Sequence, residues 1–409
     1  METRRVIVKM KEGYALSEFL RSDKETLKAE SLGHFEKDEN FKSHKEPLSI
    51  ENKVREEEHY NSSFYQKMGK MDKEIYRSFK VDCQSQEDFN SVMNQCENQK
   101  EKVESFYEDG HIYFHDLPND PEFIKTQRKV YEQLGVEECW DFTKGTGQIV
   151  AVIDTGVVVN HPDLTENLWK KGSQIGYTYP NTQKMDDSFG HGTGVSGIIA
   201  GTGNNGIGII GTAPEAIIQM HKLQLSGGKT FMSEAITAIN VAKQEKIKIV
   251  NCSFGVLPNW RNSEAEKKFQ HSINQLTDVM LFVFSSGNGT KNNMIGIDIS
   301  NTFLNEINNV LKVGALNNNS RKASYSNFGD DVVYAFGDIM STDNRNSYSV
   351  FQHTSAAAPQ VSGICALLMS YNTNIPIQKV KQAIIDTASS SNKKVNAFKA
   401  FKQIQKEFA

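Results

Sequence analysis

Short, mainly apolar runs recur from residue 149 to residue 313, separated by glycine-rich or polar turns. Ile149-Val150-Ala151-Val152-Ile153 is the clearest, and it ends at Asp154-Thr155-Gly156. Residues 216–222, 247–250, 279–284 and 310–313 are comparable. A strand with one wet face alternates apolar and polar residues; these do not, so they predict strands buried on both faces. Between them lie helical patterns at 191–200, 233–244, 265–276 and 355–371. Strands and helices in alternation predict an α/β fold, with a mainly parallel central sheet between two helical layers. In such sheets ligands bind beyond the carboxyl ends of the strands. Function is therefore sought in the segments that follow the apolar runs.

The first part of the chain reads differently. Before about residue 145 it is rich in lysine and glutamate and poor in glycine. Residues 5–10, 76–81, 103–107 and 112–114 predict strands, and 87–96 a helix. Together they predict a small α+β domain over 1–118, with a charged, mobile insertion at about 30–60, followed by a catalytic domain over 119–409. The net charge of -4 supplies no basic surface for phosphates, so no nucleic-acid partner is expected. No apolar run approaches the ~18 residues of a membrane span, and no membrane partner is expected. The five cysteines are odd in number and widely spaced, which predicts mostly buried thiols in a reducing compartment. The N-terminal stretch lacks a signal-peptide pattern. The expected location is cytoplasmic, or outside by a route without a cleavable signal peptide.

Four segments carry groups suited to nucleophilic catalysis. Asp154 ends a buried strand, where a carboxylate is held rigidly enough to orient an imidazole. His191 opens a glycine-rich helix in Gly190-His191-Gly192-Thr193-Gly194, where small residues allow close packing. Ser355 lies in Thr354-Ser355-Ala356-Ala357-Ala358-Pro359, a helix start in which Pro359 suits the first turn and the helix dipole favours developing negative charge. Asn288 follows a strand in Ser285-Ser286-Gly287-Asn288-Gly289, where its amide can donate into a cleft. Taken singly, each has a plain alternative: a strand-end Asp, a structural His, a helix cap, an Asn-Gly turn.

Taken in order, the segments resemble the subtilisin-like serine proteases, or subtilases. The resemblance runs from about Asn119 to the C-terminus. It includes Asp154-Thr155-Gly156, His161-Pro162-Asp163-Leu164, His191-Gly192-Thr193, Gly211-Thr212-Ala213-Pro214, Asn251-Cys252-Ser253-Phe254-Gly255, Gly287-Asn288 and Thr354-Ser355. It implies a three-layer subtilisin-like fold and a serine endopeptidase acting on extended polypeptides. Ser355 would be the nucleophile, His191 the general base and acid, Asp154 its orienter, and Asn288 an oxyanion donor. Ser253, Phe254 and Gly255 would form a wall of the primary specificity pocket, and Ser286 and Gly287 would also bind substrate. Ser226, Gly227 and Gly228 would offer an edge that pairs with substrate as an added strand. No cofactor is needed for this chemistry. A structural calcium ion is implied at Gln127, Asp163 and Asn205, with the carbonyls of Gly203, Ile207 and Ile209; the alternative is a Gly/Asn turn without an ion. The N-terminal domain is similar to family propeptides, which implies a zymogen inhibited by its own N-terminal domain and cut between about 113 and 121; the alternative is a permanent regulatory or targeting domain that carries the charged insertion. A peptide-binding pseudoprotease and a transpeptidase on the same fold are the competing readings. Three positions depart from the family pattern: His353 stands for glycine, Ala356 for methionine and Gly194 for histidine.

Overall fold

The computed structural model describes residues 4–10, 28–31, 78–83, 86–108, 117–181, 184–256, 260–290, 293–308 and 310–408. The chain divides into two compact units, Met1–Phe114 and His115–Ala409. The insertion expected at about 30–60 and the strand expected at 112–114 lie outside the described residues, apart from 30 and 31.

In the first unit, strands β1 (Arg4–Met10), β2 (Lys28–Ser31), β3 (Ser78–Cys83) and β4 (Val103–Glu108) form a sheet in the order β2-β3-β1-β4. All three pairings are antiparallel. Helix α1 (Gln86–Asn98) covers it. Phe89, Val92 and Cys96 recur at helical spacing and meet Val6, Val8, Val81 and Val103 in a small core. That is the expected α+β arrangement, with the third strand beginning at Ser78.

The second unit holds the larger core. It opens with α2 (Arg128–Leu134) and α3 (Glu137–Trp140), then strand β5 (Ile149–Asp154). A short hairpin, β6 (Lys170–Lys171) and β7 (Gln174–Ile175), precedes β8 (Tyr177–Tyr179). There follow α4 (His191–Ala200), β9 (Ile217–Leu223), α5 (Met232–Gln244), β10 (Ile249–Cys252), α6 (Glu264–Asn274) and β11 (Leu281–Ser285). Strands β12 (Leu311–Leu316), β13 (Val332–Phe336), β14 (Asp338–Thr342) and β15 (Tyr348–Gln352) lead into α7 (Thr354–Tyr371), α8 (Ile377–Asp386) and α9 (Ala397–Phe408). Seven strands form one sheet in the order β13-β12-β11-β10-β5-β9-β8. Every pairing in it is parallel. The apolar runs form its strands, fully buried in β10, β11 and β12. Each such Val, Ile or Phe contributes about 1.5–3 kcal/mol by leaving water.

Two buried helices position the chemistry. In α4 a Cβ on Gly192 would lie 2.2 Å from the Gly156 carbonyl, and one on Gly197 2.3 Å from Thr342 Oγ1. Only glycine lets this helix slide between β5 and β14. Helix α7 is buried from Thr354 to Met369 with the exception of Ser355. A helix so apolar all round belongs in a core. Pro359 corrects the expectation from sequence: it stands in the second turn of α7, not the first. It therefore removes the N–H that would bond the Ser355 carbonyl. Among the described residues no helix is long and apolar enough to cross a membrane. Cys139, Cys252 and Cys365 are buried free thiols, and Cys96 is buried in the core of the first unit.

Candidate active site

The sheet reverses its direction of growth between β5 and β10: β9 and β8 lie beyond one, β11 to β13 beyond the other. A crevice forms at such a switch point, outside the carboxyl ends of the strands. Asp154 is the last residue of β5, Ser253 follows β10, and Asn288 follows β11.

Asp154 is buried, and its Oδ1 accepts from His191 Nδ1 at 2.7 Å and from Thr155 N at 2.8 Å. With Nδ1 as donor to the carboxylate, Nε2 is the basic nitrogen. Burial alone would lower the His191 pKa. The Asp154 charge and hydrogen bond, and then the Asp187 charge, outweigh it and hold the imidazole above its ordinary value.

Ser355 is the second residue of α7, where backbone N–H groups have no intrahelical partner. Its Oγ donates to the Ser253 carbonyl at 3.2 Å. Ser253 Oγ in turn donates to the Ser355 carbonyl at 3.3 Å, the group that Pro359 leaves unpaired. Asn288 Oδ1 accepts from Thr354 N at 3.1 Å and from Thr354 Oγ1 at 2.8 Å. A backbone N–H can only donate, so the amide orientation is fixed and Nδ2 keeps its hydrogens for another acceptor. Asn327 braces the same loop through Gly289 N, Ser286 O and Gly287 O, all at 2.9 Å.

Residues 145–403 match the profile described as the subtilase family. The chain is 35% identical over 254 residues to a thermophilic serine proteinase of Bacillus sp. (strain AK1), covering 61% of this chain and 58% of that one. It is 30% identical over 296 residues to thermitase of Thermoactinomyces vulgaris, covering 69% of this chain and 98% of that one.

The chain belongs to the subtilase family.

It is a subtilisin-like serine protease. A solved protease from Pseudoalteromonas arctica shares the fold, with a TM-score of 0.59 at 24% identity over 70% of this chain and 99% of that one.

Within this subtilase the structure brings Asp154 and His191 into contact, and brings Asn288, Thr354 and Ser253 around Ser355. Phe254 packs against Phe269 and Phe284, with ring centroids 6.3 and 6.1 Å away. A Cβ on Gly255 would lie 3.6 Å from Phe303 Cε1, an ordinary van der Waals contact. Ser286 is buried, with its Oγ turned to the Asn327 carbonyl, so it supports the Asn288 loop from behind.

Two expectations are corrected. Ser226, Gly227 and Gly228 do not form an edge strand. Gly227 and Gly228 both have positive φ, 60° and 73°, which makes a tight hairpin turn. Ser226 N donates to Lys229 O at 2.8 Å and Lys229 N to Ser226 O at 3.2 Å, so Ser226 has already spent the groups that would pair with substrate. The calcium set is not assembled either. Gln127 is turned away: its Oε1 accepts from Ile210 N and its Nε2 donates to the carbonyls of Ile210 and Met340. Asp163 Oδ1 accepts from Asn205 Nδ2 at 2.7 Å and its Oδ2 from Ile209 N at 2.9 Å. Gly203, Ile207 and Asn205 sit in a loop that Asp120 braces by accepting from Asn204 N and Asn205 N. Carboxylates surrounded by N–H donors are the opposite of the oxygen cage that calcium needs. The residues as placed do not fit the ion.

Sequence reasoning missed Asp187. Its buried carboxylate accepts from Thr155 Oγ1, Phe189 N, Gly190 N, Thr193 N and Thr193 Oγ1 at 2.7–3.2 Å. It joins the turn after β5 to the start of α4, and so sets the distance from Asp154 to His191. The signal was slight: an aspartate four residues before a glycine-flanked histidine.

His353 departs from the family pattern at a cost. Its φ of 73° and ψ of -167° lie where essentially only glycine is unstrained. Its ring stands edge-on to Tyr325 at 4.8 Å, a contact that offsets part of the strain. Neither His353→Ala nor His353→Gly keeps that ring, and only glycine relieves the backbone. His353→Gly is expected to be more stable than His353→Ala by about 1–3 kcal/mol in chemical denaturation. Equal stabilities would mean that residue 353 carries no strain.

Proposed function

We propose that this subtilase is an endopeptidase that cuts extended polypeptides through Asp154, His191 and Ser355, with Asn288 and the Ser355 N–H as oxyanion donors. The 2.7 Å contact between Asp154 Oδ1 and His191 Nδ1 carries the reading, because it leaves Nε2 free to take a proton. The Ser355 hydroxyl rotates from the Ser253 carbonyl to His191 Nε2 and attacks the peptide carbonyl. Its proton passes to Nε2, and the new oxyanion accepts from Asn288 Nδ2 and Ser355 N. The intermediate collapses as His191 gives the proton to the leaving amine. Water, deprotonated by the same nitrogen, then releases the acyl group and restores Ser355.

Intact-mass spectrometry with a serine-directed fluorophosphonate tests this. One adduct mapped to Ser355, absent from Ser355→Ala, is the expected result. No adduct on a folded catalytic unit would leave a peptide-binding protein instead.

The N-terminal unit is proposed as a propeptide that blocks the cleft until it is cut off. Its α+β sheet and helix support this. Asn119 and Asp120 hydrogen-bond the loop at 204–206, which favours a cut upstream of Asn119. Wild type shortened by self-processing, beside a full-length Ser355→Ala chain, is the expected outcome. Equal processing of both would remove self-cleavage from the scheme.

The His191 environment sets the pH profile. The charged groups around it are Asp154 at the end of β5, Asp187 before α4, and Asp343 with Arg345 after β14. The imidazole must be neutral to accept a proton, so kcat/KM is expected to fall on the acid side with a midpoint above the ordinary ~6.5. Asp187→Asn removes a charge that raises this pKa, and the limb should move to lower pH. It also sets an amide N–H against other donors, at a cost to stability of about 1–3 kcal/mol. Stability runs the other way from activity. A histidine raised by folding contributes fully below the unfolded pKa, and the contribution is lost as pH rises through the folded one. An acid limb that Asp187→Asn leaves in place would restrict Asp187 to a structural part.

A further inference from the structure

A pocket of about 320 Å³ opens beside His191, between the start of α4 and the β14–β15 hairpin. Phe189 and Phe351 are its apolar walls, and Asp343, Arg345 and Ser349 lie at its polar end. Phe189 is 61% exposed, with its ring centroid 6.5 Å from that of His191. Phe351 stands edge-on to His191 from another side, at 5.2 Å. It reaches this place because residue 194 is glycine: a Cβ there would lie 2.5 Å from Phe351 Cδ2. The departure at position 194, where the family usually has histidine, is thus the seat of the Phe351 ring.

Proton transfer decides which half of a substrate the pocket faces. The imidazole must hand its proton to the leaving amine, so the leaving segment passes on the His191 side. The acyl half lies on the side of Asn288 and residues 253–255, and none of these lines the pocket. Arg345 Nη2 is 2.8 Å from Asp343 Oδ2, so the charges at the polar end offset each other. What the pocket offers a side chain is aromatic surface.

We propose that this pocket binds the side chain immediately after the scissile bond and selects a large apolar, above all aromatic, residue. The proposal rests on the endopeptidase reading. Phe189 and Phe351 are the selecting residues, and Gly194 is what admits Phe351.

Capture of an acyl-enzyme by added amines tests the pocket separately from the acyl half. An ester substrate forms the acyl-enzyme on the active, processed protein, and phenylalaninamide or glycinamide then competes with water for it. Phenylalaninamide is expected to capture at least about tenfold better than glycinamide, the scale on which apolar pockets discriminate. Phe351→Ala and Phe189→Ala should each move the ratio toward one, and Gly194→Ala should do so by displacing the Phe351 ring. Equal capture of the two amines by wild type would overturn the proposal. A wild-type preference kept by both phenylalanine variants would overturn the assignment to these residues. Failure to form any acyl-enzyme, with no fluorophosphonate adduct at Ser355, would instead count against the endopeptidase reading.

Discussion

Ser355→Ala is expected to lower kcat on the order of 10⁶-fold, the loss known for the nucleophile of subtilisin, itself a member of this family. KM should change little, because the alanine removes one oxygen and leaves the cleft walls in place. The reason is local. Ser355 is the single half-buried position in the buried first four turns of α7, and the Asn288–Thr354 and Ser253–Ser355 contacts hold that turn without the Ser355 hydroxyl. The variant should therefore fold, and its loss should be one of chemistry. Single-turnover kinetics on a fluorogenic peptide checks this. A loss of less than about 10³-fold would mean that catalysis does not pass through a Ser355 adduct, since what remains without a nucleophile is oxyanion stabilisation and binding.

Asn288→Ala comes second, with an expected fall of about 10²–10³ in kcat, again the scale known for the oxyanion asparagine of subtilisin. The fixed amide explains the size. Thr354 occupies Oδ1 twice over, so Nδ2 is oriented before substrate arrives and needs no reorganisation at the moment of reaction. The variant also leaves Thr354 without its acceptor, so some stability is lost along with activity. Thr354→Ala separates the two effects. It removes the Oγ1 donor and keeps the backbone one, and should lower kcat several-fold while Nδ2 remains. Equal kcat in wild type and Asn288→Ala would place the oxyanion elsewhere.

Much of this molecule was legible in its sequence. Ile149 to Ile153 could only be a strand buried on both faces, because five apolar residues without alternation leave no face for water. The pattern beginning at His191 gave a helix observed at His191–Ala200, and the residues around Ser355 gave a helix observed from Thr354. Such features are local: a run, a glycine beside a functional group, a turn. The errors were local patterns too. Ser226-Gly227-Gly228 carries the same letters whether it lies extended or turns back, and only the positive φ values of both glycines decide for the turn. Gln127 was a calcium ligand only by family resemblance, whereas its amide is spent on Ile210 and Met340.

The sequence by itself determined the parallel α/β sheet, the helices that flank it and the residues able to carry nucleophilic chemistry, because burial and backbone conformation mark nearby residues directly. Tertiary structure alone decided how those residues are held. Asp187 gathers five donors from two segments, Ser253 takes the carbonyl that Pro359 frees, and Phe351 rests where Gly194 has no side chain. Each of these joins groups far apart along the chain, and no run of neighbouring residues records which partners folding will bring within hydrogen-bond or van der Waals distance.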